Sequence, residues 1–216
     1  MKKTALIILF AVLTPLVIVG FLQSNHENGL LKNLPQDIKT VSVVPPVRIS
    51  DFSLVSHKDT KIRLSDLKGK WSFVFFGYTS CPDICPATLA QLALVNKMIK
   101  KNYSDKTKPM FYFVSVDPAR DTPKRLAGYI TYFDKDFIAM TGDNEDVVLT
   151  FEKQFGAYHR YGHKDSHGNY SVQHSADIFL VDPNGDVVAK FQPPMNIPQI
   201  AQQYSEIVDY FKHNVS

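Results

Sequence analysis

The chain has 216 residues, 44% hydrophobic and 21% charged, with a formal net charge of +3. That length suits one sizeable domain, and a weak charge without a lysine- and arginine-rich block argues against nucleic-acid binding. The two cysteines, Cys81 and Cys85, are too few for a disulfide scaffold and share one short motif.

Met1-Lys2-Lys3 precedes nineteen uncharged residues, Thr4 to Leu22. The run has the length of a single membrane-spanning helix, and Pro15 is tolerable within one. The lysines before it predict a cytoplasmic N-terminus, with everything after Leu22 outside. Residues 1–22 therefore read as an uncleaved anchor. A cleaved signal peptide is the alternative, but no small-x-small site stands out, and Val19-Gly20-Phe21 is a poor candidate. No cysteine follows the run directly, which argues against a lipoprotein anchor. With no arginine-rich transit segment, the expected location is a bacterial inner membrane, with the C-terminal domain in the periplasm. Thiols in that compartment tend to be oxidised.

Residues 23–46 are polar, weakly patterned and end in Pro45-Pro46, so they read as a tether. The domain is expected over 47–216. Phe52–Val55 and Lys61–Leu64 suggest a hairpin, and Ser65–Gly69 a turn. Trp71–Phe76 is a continuous apolar run, as expected of a central strand. Ala87–Lys101 repeats apolar residues at Leu89, Leu92, Val95, Met98 and Ile99, which is helical spacing. Met110–Val116 reads as a second buried strand. Thr122-Pro123 opens a helix to about Phe133. A short strand follows at Phe137–Met140, then a helix from Asn144 to Phe155 stopped by Gly156. Ala176–Val181 is a strand, and Asp182-Pro-Asn-Gly185 turns it into Asp186–Phe191. Asn196–Lys212 closes the chain as a helix. The alternation predicts an α/β, thioredoxin-like fold: a mostly parallel central sheet flanked by helices, with an antiparallel edge hairpin.

Cys81 and Cys85 sit where the central strand runs into a helix, a junction that presents reactive groups in α/β proteins. Two such thiols can form a reversible disulfide or bind a soft metal. On a helix their spacing corresponds to about 400°, nearly the same face. Pro82 and Pro86 complicate that: either the first turn is irregular, or the helix begins at Pro86 and both thiols lie on the loop. Amides at the helix start would stabilise a thiolate. Dithiol oxidoreductases usually space their cysteines one residue closer. A two-thiolate site suits Cu(I), and a histidine is the natural third ligand.

Four of the seven histidines are His159, His163, His167 and His174. The first three read as members of a solvated loop, with a secondary metal patch as the alternative. His26, His57 and His213 read as ordinary surface. His174 differs, because it directly precedes a strand whose approach, in thioredoxin-like folds, faces the cysteine loop. Redox members of that fold carry a cis-proline there, and this chain has no proline between Pro123 and Pro183.

These motifs resemble the Sco/SenC family, membrane-anchored copper proteins of cytochrome c oxidase assembly. The resemblance rests on Phe76-Gly-Tyr-Thr-Ser-Cys81-Pro-Asp-Ile-Cys85-Pro86, on Val114-Ser-Val-Asp117-Pro-Ala-Arg120-Asp-Thr-Pro123, and on His174 followed by Ala176–Gly185. It implies that Cys81, Cys85 and His174 bind one copper ion, Cu(I) or Cu(II). It implies delivery of copper to the binuclear copper centre of oxidase subunit II, or reduction of that subunit's cysteines. A periplasmic copper donor or thiol reductant is then a further partner. Asp83 matches an acidic position of the family and reads equally as a tuning group or a first-turn helix acid. Asp117 to Pro123 reads as a structural turn with an Arg120–Asp121 pair and a helix cap. The competing functions are a copper chaperone, which is not an enzyme, and a thiol-disulfide oxidoreductase with Cys81 and Cys85 as its redox pair. A peroxiredoxin-type peroxidase is disfavoured, because Tyr78 and Pro82 stand three residues before the cysteines where Thr or Ser is wanted.

Overall fold

The structure is a computed structural model and describes residues 34–102 and 108–214. The expected N-terminal anchor and His26 lie outside the described residues. Among the described residues no helix is long and apolar enough to cross a membrane. A short first unit ends at Thr40 and contains the one-turn helix α1, Gln36–Lys39, whose Ile38 and Lys39 amides donate to the Pro35 carbonyl.

The second unit, Val41–Ser216, is organised on an eight-stranded sheet. Its strands are β1 (Ser42–Arg48), β2 (Ser53–Ser56), β3 (Lys61–Arg63), β4 (Ser72–Gly77), β5 (Met110–Ser115), β6 (Ile138–Thr141), β9 (Ile178–Val181) and β10 (Asp186–Phe191), in spatial order β1-β10-β9-β4-β5-β6-β2-β3. A separate ribbon pairs β7 (His159–Tyr161) with β8 (Val172–His174). The helices are α2 (Leu64–Leu67), α3 (Ile84–Asn102), α4 (Pro123–Ile130), α5 (Glu145–Lys153) and α6 (Ile197–Asn214).

The expected mostly parallel sheet is instead mixed. Only β4–β5 and β5–β6 pair in parallel, and every other neighbouring pair is antiparallel. The reason is topological. Parallel neighbours need a crossover, and only α3 and α4 supply one between adjacent strands. The entrance hairpin extends the sheet beyond β6, while β9 inserts beside β4 with opposite sense.

β4 is buried along its whole length, and its side chains alternate between the two layers. Phe73 stacks on Phe111 at 4.9 Å and meets Tyr204 of α6 at 5.5 Å. On the other face Phe76 meets Phe151 of α5 at 6.0 Å and Phe155 at 5.2 Å. Each fully buried phenylalanine contributes about 1.5–3 kcal/mol. In α3, Leu89, Leu92, Val95 and Ile99 are buried as their spacing predicts, while Met98 is exposed.

Other expectations change. Pro45 and Pro46, read as the end of a tether, lie inside β1, an antiparallel edge strand on β10. Proline lacks a ladder donor and is confined to such edges, and the register shifts between Ser42 and Val47. Ser65–Leu67 form the body of α2, where the Asp66 carboxylate accepts the Arg63 amide at 2.8 Å. His57 is buried, and its Nδ1 accepts the Ala139 amide at 3.1 Å. His213 is exposed on the last turn of α6.

His159 is not a solvated loop residue. Its side chain is 2% exposed, and Nδ1 lies 2.6 Å from the fully buried Glu152 carboxylate of α5. That hydrogen bond pushes the imidazole pKa up, and the Glu152 and Glu145 charges add to it against desolvation. A raised pKa stabilises the fold fully below the imidazole's unfolded value and loses that contribution as pH rises through the folded one. Removing the partner would strand a buried carboxylate, which costs about 3–5 kcal/mol. His159→Leu should therefore lower unfolding stability by that amount in urea melts, and a change under about 1 kcal/mol would contradict the pair.

Candidate metal centre

β4 ends at Gly77, the loop 78–83 follows, and α3 starts at Ile84. Cys81 stands on the loop, and Cys85 in the first turn of the helix. Pro86 is the third helical residue, where its missing N–H would have had no intrahelical partner in any case. The helix thus starts two residues before Pro86, between the two expected arrangements, with Cys81 on the loop and Cys85 on the helix. Asp83 precedes it, and its carbonyl accepts the Ala87 amide at 3.2 Å. The Cys81 sulfur accepts the Cys85 amide at 3.4 Å, so the thiol acts as a cap on the helix start.

Gly77 makes this junction possible. A Cβ there would lie 2.7 Å from the Cys85 sulfur and 2.8 Å from the Phe113 ring. The bare backbone lets Cys85 sit fully buried against the end of the strand.

His174 closes β8, directly opposite His159 in the ribbon. Its Nδ1 is 2.9 Å from the Ser175 carbonyl. A carbonyl only accepts, so Nδ1 carries a proton and Nε2 is the ring nitrogen turned toward the sulfurs. Nε2 points at the Cys85 sulfur, 3.2 Å away. Phe75 and Tyr78 flank the imidazole edge-to-face at 6.1 and 5.8 Å. The ligand atoms of Cys81, Cys85 and His174 all lie within 4.8 Å of one another, and no other such group occurs among the described residues. Cys85 is buried, while Cys81 and His174 are partly exposed, so the cluster opens on one side.

The two thiols differ. A hydrogen bond from the Cys85 thiol, with backbone amides of Cys85 and Asp83 and a contact from His174, pulls the Cys81 pKa down to about 4 against its desolvation. The same thiol–thiol hydrogen bond and burial push Cys85 up. The Cys85 sulfur thus faces both the Cys81 sulfur and His174 Nε2. Two sulfurs and an imidazole nitrogen form a donor set for a soft, low-coordinate cation.

The sequence-derived residues Cys81, Cys85 and His174 are brought together. Asp83 is exposed and is not in the cluster. His163 and His167 are exposed on the ribbon tip, away from it. The expected Arg120–Asp121 pair does not form: Arg120 pairs with Asp117, and Asp121 faces Arg125 at 3.7 Å. Thr79 and Ser115 stand inside the quoted motifs, but only the tertiary structure brings both onto the Asp121 carboxylate.

The fold and the cluster define a thioredoxin-like α/β protein carrying a Cys-Cys-His donor set. The SCO1/SenC family profile matches residues 45–209, and the chain belongs to that family. The chain is similar to the copper-bound structure of Arabidopsis thaliana ScoI, at 28% identity and TM-score 0.68, covering 74% of this chain and 98% of that one. Copper-bound yeast Sco1 superposes with TM-score 0.70 at 28% identity, over 76% and 90% of the two chains. A SCO2-like protein of Rickettsia felis is 31% identical over 164 residues, 76% of this chain and 75% of its own length. The sco1 protein of Schizosaccharomyces pombe is 29% identical over 187 residues, 85% and 69% of the respective chains.

Two measurements check this geometry. Gly77→Ala should displace Cys85 and lower stability by about 1–3 kcal/mol in thermal unfolding, and an unchanged melting temperature would refute the close approach. Alkylation of the reduced protein should label Cys81 rapidly at pH 6 and leave Cys85 slow. A Cys81 rate that climbs tenfold per pH unit from about pH 6 to 9 would show an ordinary thiol instead.

Proposed function

We propose that this protein is a copper metallochaperone that binds one copper ion through Cys81, Cys85 and His174. It passes that ion to the binuclear copper centre of cytochrome c oxidase subunit II during assembly of a respiratory oxidase. The observation that carries this reading is the convergence of two sulfurs and an imidazole nitrogen within 4.8 Å, on a cluster with one open side. Support for copper as the ion comes from the soft donor set and from the copper-bound structures of relatives in plants and yeast. In this reading residues 1–22 anchor the chain in a bacterial inner membrane and the C-terminal domain works in the periplasm. A periplasmic copper donor supplies the ion, and a thiol reductant keeps the pair open.

A second reading has its own observation. One low-pKa thiol beside one buried thiol is the arrangement of an attacking and a resolving cysteine. The Cys81 thiolate would attack a disulfide of the partner, and the first partner sulfur would leave as a thiolate. Cys85 would give its proton to that thiolate and attack Cys81, releasing the second partner sulfur as a thiolate. The partner gains two electrons, and this chain is left with a Cys81–Cys85 disulfide. The two readings are compatible, because copper loading requires the reduced pair.

Titration of the reduced full-length chain with Cu(I) against a competing chelator separates them. We expect one ion per chain and a loss of affinity of at least about tenfold in His174→Ala. Indifference to copper, with disulfide exchange intact in His174→Ala, would leave only the oxidoreductase.

A further inference from the structure

The turn between β5 and α4, residues 116–122, contributes no donor to the metal centre. It nevertheless grips both segments that do. On one side stands Asp121, fully buried. Its carboxylate accepts the Thr79 amide at 2.8 Å, the Thr79 hydroxyl at 2.5 Å and the Ser115 hydroxyl at 2.5 Å. Thr79 lies just ahead of Cys81 on the same loop. Arg125, from the first turn of α4, adds bonds to the Thr79 hydroxyl at 2.7 Å and the Ser80 hydroxyl at 2.9 Å. The Val116 amide donates to the Gly77 carbonyl at 2.8 Å, which ties the turn to the end of β4.

On the other side stands Asp117, also fully buried. It pairs with Arg120 and accepts the Tyr170 hydroxyl at 2.8 Å. Arg120 donates to the Tyr170 carbonyl at 2.9 Å and lies over the Tyr170 ring, 3.7 Å from its centroid. The Tyr161 hydroxyl donates to the Val116 carbonyl at 2.8 Å. Tyr161 ends β7, and Tyr170 stands two residues ahead of β8, the strand that ends in His174.

We infer that this turn sets the separation between the thiols and the imidazole. Asp121 with Arg125 holds the cysteine arm, and Asp117 with Arg120 holds the histidine arm. The inference rests on reading Cys81, Cys85 and His174 as metal ligands. The physical argument is preorganisation. A buried carboxylate that accepts two or three hydrogen bonds fixes its partners far better than one exposed pair. The His174 ribbon has only three residues in each strand, so it cannot hold its own position. Ligand-bearing segments fixed before the ion arrives lose no further conformational entropy when it binds. Asp117, Arg120, Asp121 and Arg125 are thus positioning residues that act through the ligands.

The test is a mutant cycle on the reduced full-length chain. Cu(I) affinity is measured by chelator competition for the parent, Arg120→Ala, Tyr170→Phe and Asp121→Asn, each with and without His174→Ala. Thermal unfolding of the metal-free variants is followed in parallel. Arg120→Ala should weaken Cu(I) binding by about tenfold. His174→Ala made in that background should cost several-fold less than in the parent, because the histidine is already misplaced. Asp121→Asn should weaken binding without such coupling, since it acts on the cysteine arm. On the Cu(II)-loaded protein, Arg120→Ala should diminish the nitrogen coupling of the imidazole in electron paramagnetic resonance, and Asp121→Asn should retain it. A merely structural role would lower the melting temperature and leave these copper readouts in place.

Should Arg120→Ala not fold, Tyr170→Phe carries the same comparison, because it removes one hydroxyl and keeps the ring beneath Arg120. Parent-like copper affinity in the folded variants, or losses in Arg120→Ala and Tyr170→Phe that are additive with His174→Ala, would overturn the inference alone. A parent chain that binds no copper would sink the ligand assignment and this inference with it.

Discussion

No residue of β4 reaches solvent, and the architecture follows from that constraint. A strand buried on both faces needs a helical layer on each, and hydrogen-bonded neighbours on both edges. Phe73 meets Tyr204 of α6 and Phe75 meets Phe113 of β5, while Phe76 meets Phe151 of α5 on the other face. β5 and β9 complete the edges. With the strand so fixed, Gly77 is held at one height, and the loop to α3 must begin there. The buried Cys85 sulfur rests on that fixed point. The more exposed Cys81 and His174 close around it from a loop and a ribbon.

The electrostatics follow from the same arrangement. Cys85 keeps its proton because its sulfur is buried and hydrogen-bonded to Cys81. Cys81 gives its proton up because amides at the helix start and that thiol stabilise its charge. The Ser175 carbonyl fixes a proton on His174 Nδ1, which turns Nε2 toward the sulfurs. Cys81 and His174 therefore each have a partner outside the cluster, while Cys85 is held by burial and by Cys81. An incoming cation would meet two sulfurs and one imidazole nitrogen.

Much of this was legible in the sequence because the signals were local. The apolar runs of β4 and β5, the Thr122-Pro123 and Asn144 helix starts, and the Asp182–Gly185 turn each depend on neighbours within a few residues. The pairing of two cysteines with His174 was legible from motif and fold together. The rest depended on closure of the tertiary structure. β1 carries two prolines that erase strand periodicity, and only its pairing with β10 makes it a strand. The ribbon strands are three residues each, too short for a pattern to show. Burial of His159 needs Glu152 from a helix that precedes it in the chain. The charges at Asp117, Arg120 and Asp121 were visible, but sequence adjacency suggested the wrong pairing, because Arg120 turns back to Asp117 while Asp121 takes the Thr79 and Ser115 hydroxyls.

The tip of the His174 ribbon is self-contained. The Asp165 carboxylate accepts the His167 and Asn169 amides, both at 2.8 Å, and Gly168 turns back with φ at +80°. Below it, the Gly162 amide donates to the Ser171 carbonyl at 2.8 Å, which closes the ribbon independently of the tip. An epitope or fluorescent reporter spliced after Ser166 would therefore lengthen the hairpin outward and leave the register of His159 with His174 intact. The ribbon offers a graft site from which the movement of the arm that carries His174 could be watched in a working protein.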